Sequence, residues 1–292
     1  MRDAQLRRAN HWIPLLLLTL ILAACSFSLS SFLPPMAPAP TATPAPVQLL
    51  VPEVISVRPH DTEAWTQGLV WYQGALYEST GLTSQSSLRQ VDLQTGAVLR
   101  RINVPDEYFA EGLALVDDRL IQLTWKEETA FVYDRDTFSR LGEFTYAGEG
   151  WGLCYDGESL YMSDGSAIIT RRDPDTFAVL DQITVTYDGV PLDQLAFQGN
   201  LLSRLNELEC VGGSLYANVW LTDAILQIDK TSGRATALIY AANLLTTEEH
   251  VEASGRGGVL NGIAYMPETD TFLITGKFWP KMFEVRFVPY NE

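Results

Sequence analysis

Five times between residues 67 and 263 a polar or aromatic side chain is followed by Gly or Glu and then by Leu or Ile. The triplets are Gln67-Gly68-Leu69, Glu111-Gly112-Leu113, Trp151-Gly152-Leu153, Asn206-Glu207-Leu208 and Asn261-Gly262-Ile263. Each opens a short apolar strand that turns at a polar or glycine pair such as Gln73-Gly74 or Asp156-Gly157, and a second strand follows. A third strand ends in Asp92, Asp134, Asp173 or Asp229, with Thr or Ser a few residues later, and a fourth occupies residues 98–104, 141–146, 179–185 and 236–240. The triplets lie 44, 40, 55 and 55 residues apart, near the ~40–50 of four-stranded propeller blades. The fifth repeat runs out after residues 282–287, one strand short. Residues 49–57 can supply that strand, and closing the ring removes exposed sheet edges. The sequence therefore predicts an all-β fold, a five-bladed β-propeller whose last blade is closed by the N-terminal strand. A β-sandwich does not repeat five times with the same turn chemistry. Helical periodicity is confined to residues 241–251, where a short helix is expected.

Ahead of the repeats stand two segments of different character. Arg2, Arg7 and Arg8 precede an apolar run from Trp12 to Leu22 that is interrupted by Pro14 and is short for a membrane span. It ends Leu22-Ala23-Ala24-Cys25, similar to a bacterial lipobox, so residues 1–25 read as a lipoprotein signal with Cys25 lipidated; ordinary secretion is the alternative. Residues 26–47 carry six prolines among Ser, Thr and Ala with no charge, a semi-extended tether. The folded domain is then 48–292. An extracytoplasmic, membrane-anchored protein follows, touching the membrane only through its lipid, and a monomer is expected. Without residues 1–25 the chain keeps 17 basic and 35 acidic side chains, a net charge of −18. That balance excludes nucleic acid and anionic lipid as partners. His11, His60 and His250 are scattered and no His/Cys set has zinc spacing, so no metal and no cofactor is expected. Cys154 and Cys210 can pair outside the cytoplasm or stand as unpaired packing residues, and both readings stay open.

Equivalent positions of a propeller's inner strands converge on one face of the central channel. The converging set is Gln67, Glu111, Trp151, Asn206 and Asn261, and a second ring comes from Gly81, Trp125, Gly165, Trp220 and Lys277. Where repeats share a fold but differ in residue, the difference points to the site. One carboxylate, one ammonium, three indoles (Trp125, Trp151, Trp220) and three amides (Gln67, Asn206, Asn261) make a small apolar pocket with a few aimed polar groups. The bland readings are an indole packed between sheets, a Glu111–Lys277 salt bridge, a turn role for Asn261, and backbone or Arg partners for Glu207 and Glu209.

At these residues the chain resembles the plant and bacterial glutaminyl cyclases. The likeness runs through Trp65-Thr66-Gln67-Gly68-Leu69, Tyr77-Glu78-Ser79-Thr80-Gly81, Phe109-Ala110-Glu111-Gly112-Leu113, Gly150-Trp151-Gly152-Leu153, Asn206-Glu207-Leu208-Glu209, Leu260-Asn261-Gly262 and Gly276-Lys277-Phe278-Trp279. The resemblance implies cyclisation of an N-terminal glutaminyl residue to pyroglutamate with loss of ammonia, on peptides or proteins that begin with Gln. It implies Glu111 as general acid/base and Lys277 and Asn206 as stabilisers of the amide oxygen. Gln67, Trp65, Phe109, Trp125, Trp151 and Trp220 are then the substrate-binding residues. Two departures stand out: Trp65 replaces the family's Phe, and residues 193–204 form an extra loop just before Asn206. Competing classes are a non-catalytic propeller lipoprotein that binds peptide or sugar, and a six-bladed calcium-dependent hydrolase such as a lactonase.

Overall fold

The computed structural model describes residues 45–291. The signal segment, Cys25 and all but the end of the tether lie outside the described residues. What is described is all-β, as the repeats predict, with each repeat folding as an antiparallel meander. The first comprises β2 (Thr66–Tyr72), β3 (Ala75–Thr80), β4 (Ser87–Val91) and β5 (Val98–Asn103). The second comprises β6 (Ala110–Val116), β7 (Arg119–Thr124), β8 (Thr129–Asp134) and β9 (Arg140–Thr145), and the third β10 (Leu153–Tyr155), β11 (Leu160–Ser163), β12 (Ile168–Arg172) and β13 (Val179–Thr184). The fourth repeat contributes β18 (Leu205–Val211), β19 (Ser214–Val219), β20 (Ala224–Asp229) and β21 (Ala235–Tyr240), and the fifth only β22 (Leu260–Met266), β23 (Thr271–Gly276) and β24 (Lys281–Pro289). The N-terminal β1 (Gln48–Pro59) pairs antiparallel with β24 from Leu50 to Pro59. Its first residues also run parallel to β21, so the fourth and fifth repeats share one sheet.

The first strands of the repeats pack on one another in a cycle: β2 on β6, β6 on β10, β10 on β18, β18 on β22 and β22 back on β2. They are apolar and covered, whereas β5, β9 and β13 face solvent at every residue except Ile102, Phe144 and Ile183, which are half-buried. The repeated Asp has a local cause. Asp92, Asp134, Asp173 and Asp229 each accept from the backbone N–H and the hydroxyl of the Thr or Ser three residues on, which ties the turn into β5, β9, β13 and β21. The next residue has φ near +60° or +70°. It is Gly96 and Gly233 in two repeats but Phe138 and Phe177 in the others. A left-handed phenylalanine costs about 1–2 kcal/mol. Burying a ring that size returns about 1.5–3 kcal/mol, and both phenylalanines are buried against neighbouring aromatic rings.

The helix is displaced from its expected place. It is α1, Thr247–Gly255, rather than 241–251, because Asn243 takes φ +63° and breaks the run, and Thr246 and Glu249 form a capping box that starts the helix afterwards. Residues 193–204, the extra loop, hold one small hairpin, β16 (Ala196–Phe197) with β17 (Asn200–Leu201), and a short 3-10 turn joins it to a second hairpin just before, β14 (Thr186–Tyr187) with β15 (Val190–Pro191). Cys154 on β10 and Cys210 on β18 are disulfide-bonded, with Cα atoms 5.5 Å apart. A crosslink spanning 56 residues stabilises by about 4 kcal/mol on the chain-entropy account.

Candidate active site

All nine binding and catalytic candidates line a single cavity of about 240 Å³: Trp65, Gln67, Phe109, Glu111, Trp125, Trp151, Asn206, Trp220 and Lys277. Four indoles and Phe109, all half-buried, make the walls, and the polar groups are buried beneath them. The expected inventory changes in two respects. Trp65, expected from the resemblance, joins the three indoles of the repeated positions. Asn261, expected among the converging set, does not line the pocket: its Nδ2 donates to the Thr66 carbonyl at 2.9 Å and to Gln67 Oε1 at 3.2 Å. The two glycines of the second ring make space for rings. Gly81 lies against Phe109, and a methyl at Gly165 sits 2.6 Å from the Trp151 indole.

A recurrent distortion aims the polar side chains. The pairing of β2, β6, β18 and β22 with the next strand slips at Gln67, Glu111, Asn206 and Asn261 respectively, each the second residue of its strand. Such bulges turn a side chain out of the regular alternation, which brings Gln67, Glu111 and Asn206 to the cavity and Asn261 against Gln67. In three repeats the end of the second strand then secures the next repeat. Ser79 Oγ donates to the Glu111 carbonyl, Ser163 Oγ to the Asn206 carbonyl, and Asn218 Oδ1 accepts from the Gly262 N–H. At Gly112 the adjacent strands come so close that a β-carbon lies 2.6 Å from the Leu153 nitrogen, and the Gly112 N–H donates to the Trp151 carbonyl at 2.7 Å. The fourth repeat has Glu207 in this place. Its carboxyl group accepts from the N–H groups of Leu69 on β2 (3.4 Å) and Ile263 on β22 (2.8 Å), while Glu209 accepts from Tyr265 N–H at 2.9 Å. Both therefore have backbone partners. Burial lifts the carboxyl of Glu207 well above its ordinary value and that of Glu209 to about 8.

Glu111 is 5% exposed. Gln67 Nε2 donates to its Oε1 at 2.8 Å, and its Oε2 is buried with no partner. Because Asn261 donates to Gln67 Oε1, the Gln67 amide is held with its nitrogen toward Glu111, so Asn261, Gln67 and Glu111 form a chain. Burial raises the Glu111 carboxyl well above the ordinary range. Lys277 opposes this, and Glu127 and Glu149 reinforce it. Lys277 is buried, and loss of water brings its ammonium down to about 8 against the pull of Glu111. Its Nζ stands 5.0 Å from the centre of the Trp65 ring. Asn206 Oδ1 and Trp65 Nε1 are likewise buried without partners. The pocket is thus largely apolar with a few uncommitted polar atoms, the condition in which a carboxyl group is poised to exchange a proton.

Sequence reasoning missed Glu149. Its Oε2 accepts from the indole N–H of Trp125 at 2.7 Å and of Trp151 at 3.0 Å. It lies outside the repeated positions, and its only signal is an acid set between Gly148 and Gly150 directly before Trp151. Among the described residues no group of three or more His, Cys, Asp or Glu side chains is arranged to hold a metal ion.

An all-β repeat with a buried carboxyl group, one of its oxygens unpartnered, at the base of a small aromatic pocket fits a protein that takes a small molecule or a chain end. The sequence model of the glutamine cyclotransferase family matches residues 27–287. A glutaminyl-peptide cyclotransferase of Arabidopsis thaliana is 38% identical over 239 residues, covering 80% of this chain and 70% of that protein. The crystal structure of Myxococcus xanthus glutaminyl cyclase, 36% identical, matches with a TM-score of 0.71 over 84% of this chain and 100% of its own. The chain belongs to the glutamine cyclotransferase family.

Proposed function

We propose that this chain converts N-terminal glutaminyl residues of peptides to pyroglutamate with Glu111 as the single general acid/base. The cyclotransferase activity rests on the family and on both relatives. The mechanism rests on one observation above all, the buried and unpartnered Oε2 of Glu111 facing an aromatic pocket. The substrate's α-amine, with a pKa of about 7.7–8.0, attacks the side-chain amide carbon of the same residue. A carbon–nitrogen bond forms and closes a five-membered ring, and Glu111 takes the amine proton. When the tetrahedral intermediate collapses, the bond to the original amide nitrogen breaks and Glu111 returns the proton to it, releasing ammonia. Lys277 and the Asn206 amide stabilise the charge on the oxygen in between. The indoles exclude water and hold the flexible side chain folded onto its amine. Gln67, held by Asn261, orients Glu111. No step is assigned to a metal or an organic cofactor.

The architecture that best accounts for the strand cycle is a five-bladed propeller, with β1 completing the fifth blade alongside β24. The Cys154–Cys210 disulfide supports an oxidising compartment and fits a lipoprotein anchored at Cys25 through the tether 26–47. Mass spectrometry of the mature N-terminus tests the anchor; an unmodified terminus after Ala24 rules it out. Ammonia release from a Gln-initiated dipeptide tests the function. Glu111→Gln is expected to lower turnover about 10²–10⁴-fold with binding kept, and EDTA is expected to leave the rate unchanged. Release of ammonia by Glu111→Gln at the wild-type rate overturns the mechanism. If the unaltered protein releases none, the pocket is a binding site only.

A further inference from the structure

The pocket's walls are a chain of rings with one carboxylate at its middle. Phe109 meets Trp125 edge-on at 5.7 Å between centroids, and Trp151 meets Trp220 edge-on at 5.4 Å. Between these two pairs no ring contact closes the gap; Glu149 does, through a single oxygen shared by both indole N–H groups. Its backbone is tied to the same wall: Gly150 N–H donates to the Trp125 carbonyl at 2.9 Å, and Trp125 N–H to the Phe109 carbonyl at 2.8 Å. Lys126 caps the arrangement from outside, with Nζ 3.6 Å from Glu149 Oε1 and 3.9 Å from the Trp125 ring centre. An indole hydrogen-bonded at Nε1 must break that bond to turn about its side-chain torsions, so one acceptor restrains the angle of two walls contributed by different repeats.

We propose that Glu149 is a positioning residue of the cyclisation, holding Trp125 and Trp151 as one rigid face against which the glutaminyl side chain folds onto its own amine. This deepens the cyclotransferase reading and rests on it for the kinetic effect, though not for the effect on the wall. Because the gain lies in orientation, loss of the clamp acts on turnover more than on affinity. Misplacement of about 1 Å at a reacting centre costs about 10²-fold. What the wall needs is an acceptor at the right reach. A glutamine oxygen supplies it without charge, and an aspartate, one methylene shorter, does not reach both indoles.

The experiment is a three-variant series, Glu149→Ala, Glu149→Gln and Glu149→Asp, read by kcat and KM on a Gln-initiated dipeptide and by near-ultraviolet circular dichroism of the indoles. Glu149→Ala is expected to lower kcat about 10–100-fold with a small change in KM and a loss of indole ellipticity at unchanged far-ultraviolet spectrum. Glu149→Gln is expected to recover the ellipticity and bring kcat back to within about fivefold of the unaltered protein, the difference between a charged and a neutral acceptor. Glu149→Asp is expected to recover less than Glu149→Gln. The spectra are repeated in a Glu111→Gln background, where no turnover contributes, so the clamp is tested even if the mechanism assigned to Glu111 fails. Unchanged kcat and ellipticity in Glu149→Ala overturn the proposal. So does better recovery by Asp than by Gln, which assigns the effect to charge. Should Glu149→Ala fail to fold, the order of Gln and Asp still decides.

Discussion

Glu78 on β3 and Glu111 on β6 are buried to nearly the same degree, 1% and 5% exposed, yet their surroundings make them opposites. Burial alone pushes both carboxyls upward. At Glu78 this is outweighed by Arg89, whose Nη2 donates to Oε2 at 2.5 Å, and by His60 Nε2, 3.0 Å from Oε1, with the Thr66 hydroxyl adding a bond at 2.7 Å. Its carboxyl is held well below the ordinary range. Glu111 has one neutral donor, Gln67, and a cation that itself is partly stripped of water, so its carboxyl stays high. Filled oxygens are not what separates them, since Glu207 has both oxygens filled by backbone N–H groups and its carboxyl is still high. Glu78 is a structural anion because Arg89 is bonded to it, whereas Glu111 has no cation in hydrogen-bonding contact and keeps one oxygen open, as its proposed role requires. The two lie on adjacent repeats, and the network around Glu78 fixes Thr66, next in sequence to Gln67, which orients Glu111.

The same substitution at the two positions separates these roles. Glu111→Gln loses the base, the largest effect expected on turnover, while its melting temperature is unchanged or higher at pH 7. Glu78→Gln leaves Arg89 buried without its full counter-charge, which costs about 3–5 kcal/mol of stability and reaches turnover only through Thr66 and Gln67. Their pH dependences run in opposite directions. Glu78 is depressed, so its contribution to stability is present above the ordinary carboxylate value and is lost as pH falls below it. Glu111 is raised, so stability is lost as pH climbs from the ordinary value toward its own. Denaturation followed against pH in the unaltered protein and in each variant reads both slopes as differences, and parallel behaviour breaks the comparison.

Lys277 gives the next largest effect. It lowers the Glu111 carboxyl by its charge, so Lys277→Met is expected to move the acid limb of kcat/KM to higher pH. It is also expected to reduce turnover by about 10²-fold, the scale for losing one stabilising donor. Because the Lys277 ammonium sits at about 8, the unaltered protein is expected to lose stabilisation of the amide oxygen as pH rises through that value, and the variant to lack that limb. In Lys277→Met, an acid limb that does not move, or a basic limb that persists, assigns that limb to another group.

How much of this was legible in the sequence follows from what the repeat encodes. Inner strands and turn aspartates recur because each repeat solves the same packing and turn problem, so the all-β fold and its strand boundaries could be read within a residue or two. Seven of the nine pocket residues were found because they occupy equivalent positions while differing from one another; Trp65 and Phe109 came only from the family resemblance. Glu149 occupies no such position, and its role depends on two indole N–H groups meeting in space. Gln67 looked like a substrate contact, but its amide is taken up by Asn261 and Glu111, an arrangement that needs the bulges at residues 67 and 111 to exist. The displaced helix shows the weakness of periodicity over two turns. The capping pair Thr246 and Glu249 was present in the sequence and carried the better signal.

Trp65 sharpens the comparison with the smallest expected effect, since an open polar group is not by itself a functional one. Its Nε1 is buried without a partner, as Glu111 Oε2 is, but its ring also packs edge-on against Phe278 at 5.1 Å, over which Arg256 lies at 3.9 Å. An unfilled indole N–H costs about 1–3 kcal/mol, a cost that Trp65→Phe removes while keeping an aromatic wall and the residue typical of the family. If the ring acts as a wall alone, kcat is expected to hold and KM to change by less than about fivefold, about 1 kcal/mol of lost contact, with stability equal or improved. If the N–H donates to the peptide, kcat/KM falls by more than about tenfold, the scale of one hydrogen bond in a dry site. That result places Trp65 beside Glu111 and Asn206 among the polar determinants. Kinetics on a Gln-initiated dipeptide and on a longer peptide distinguish the outcomes, because a contact to the peptide backbone beyond the first residue affects the longer substrate more.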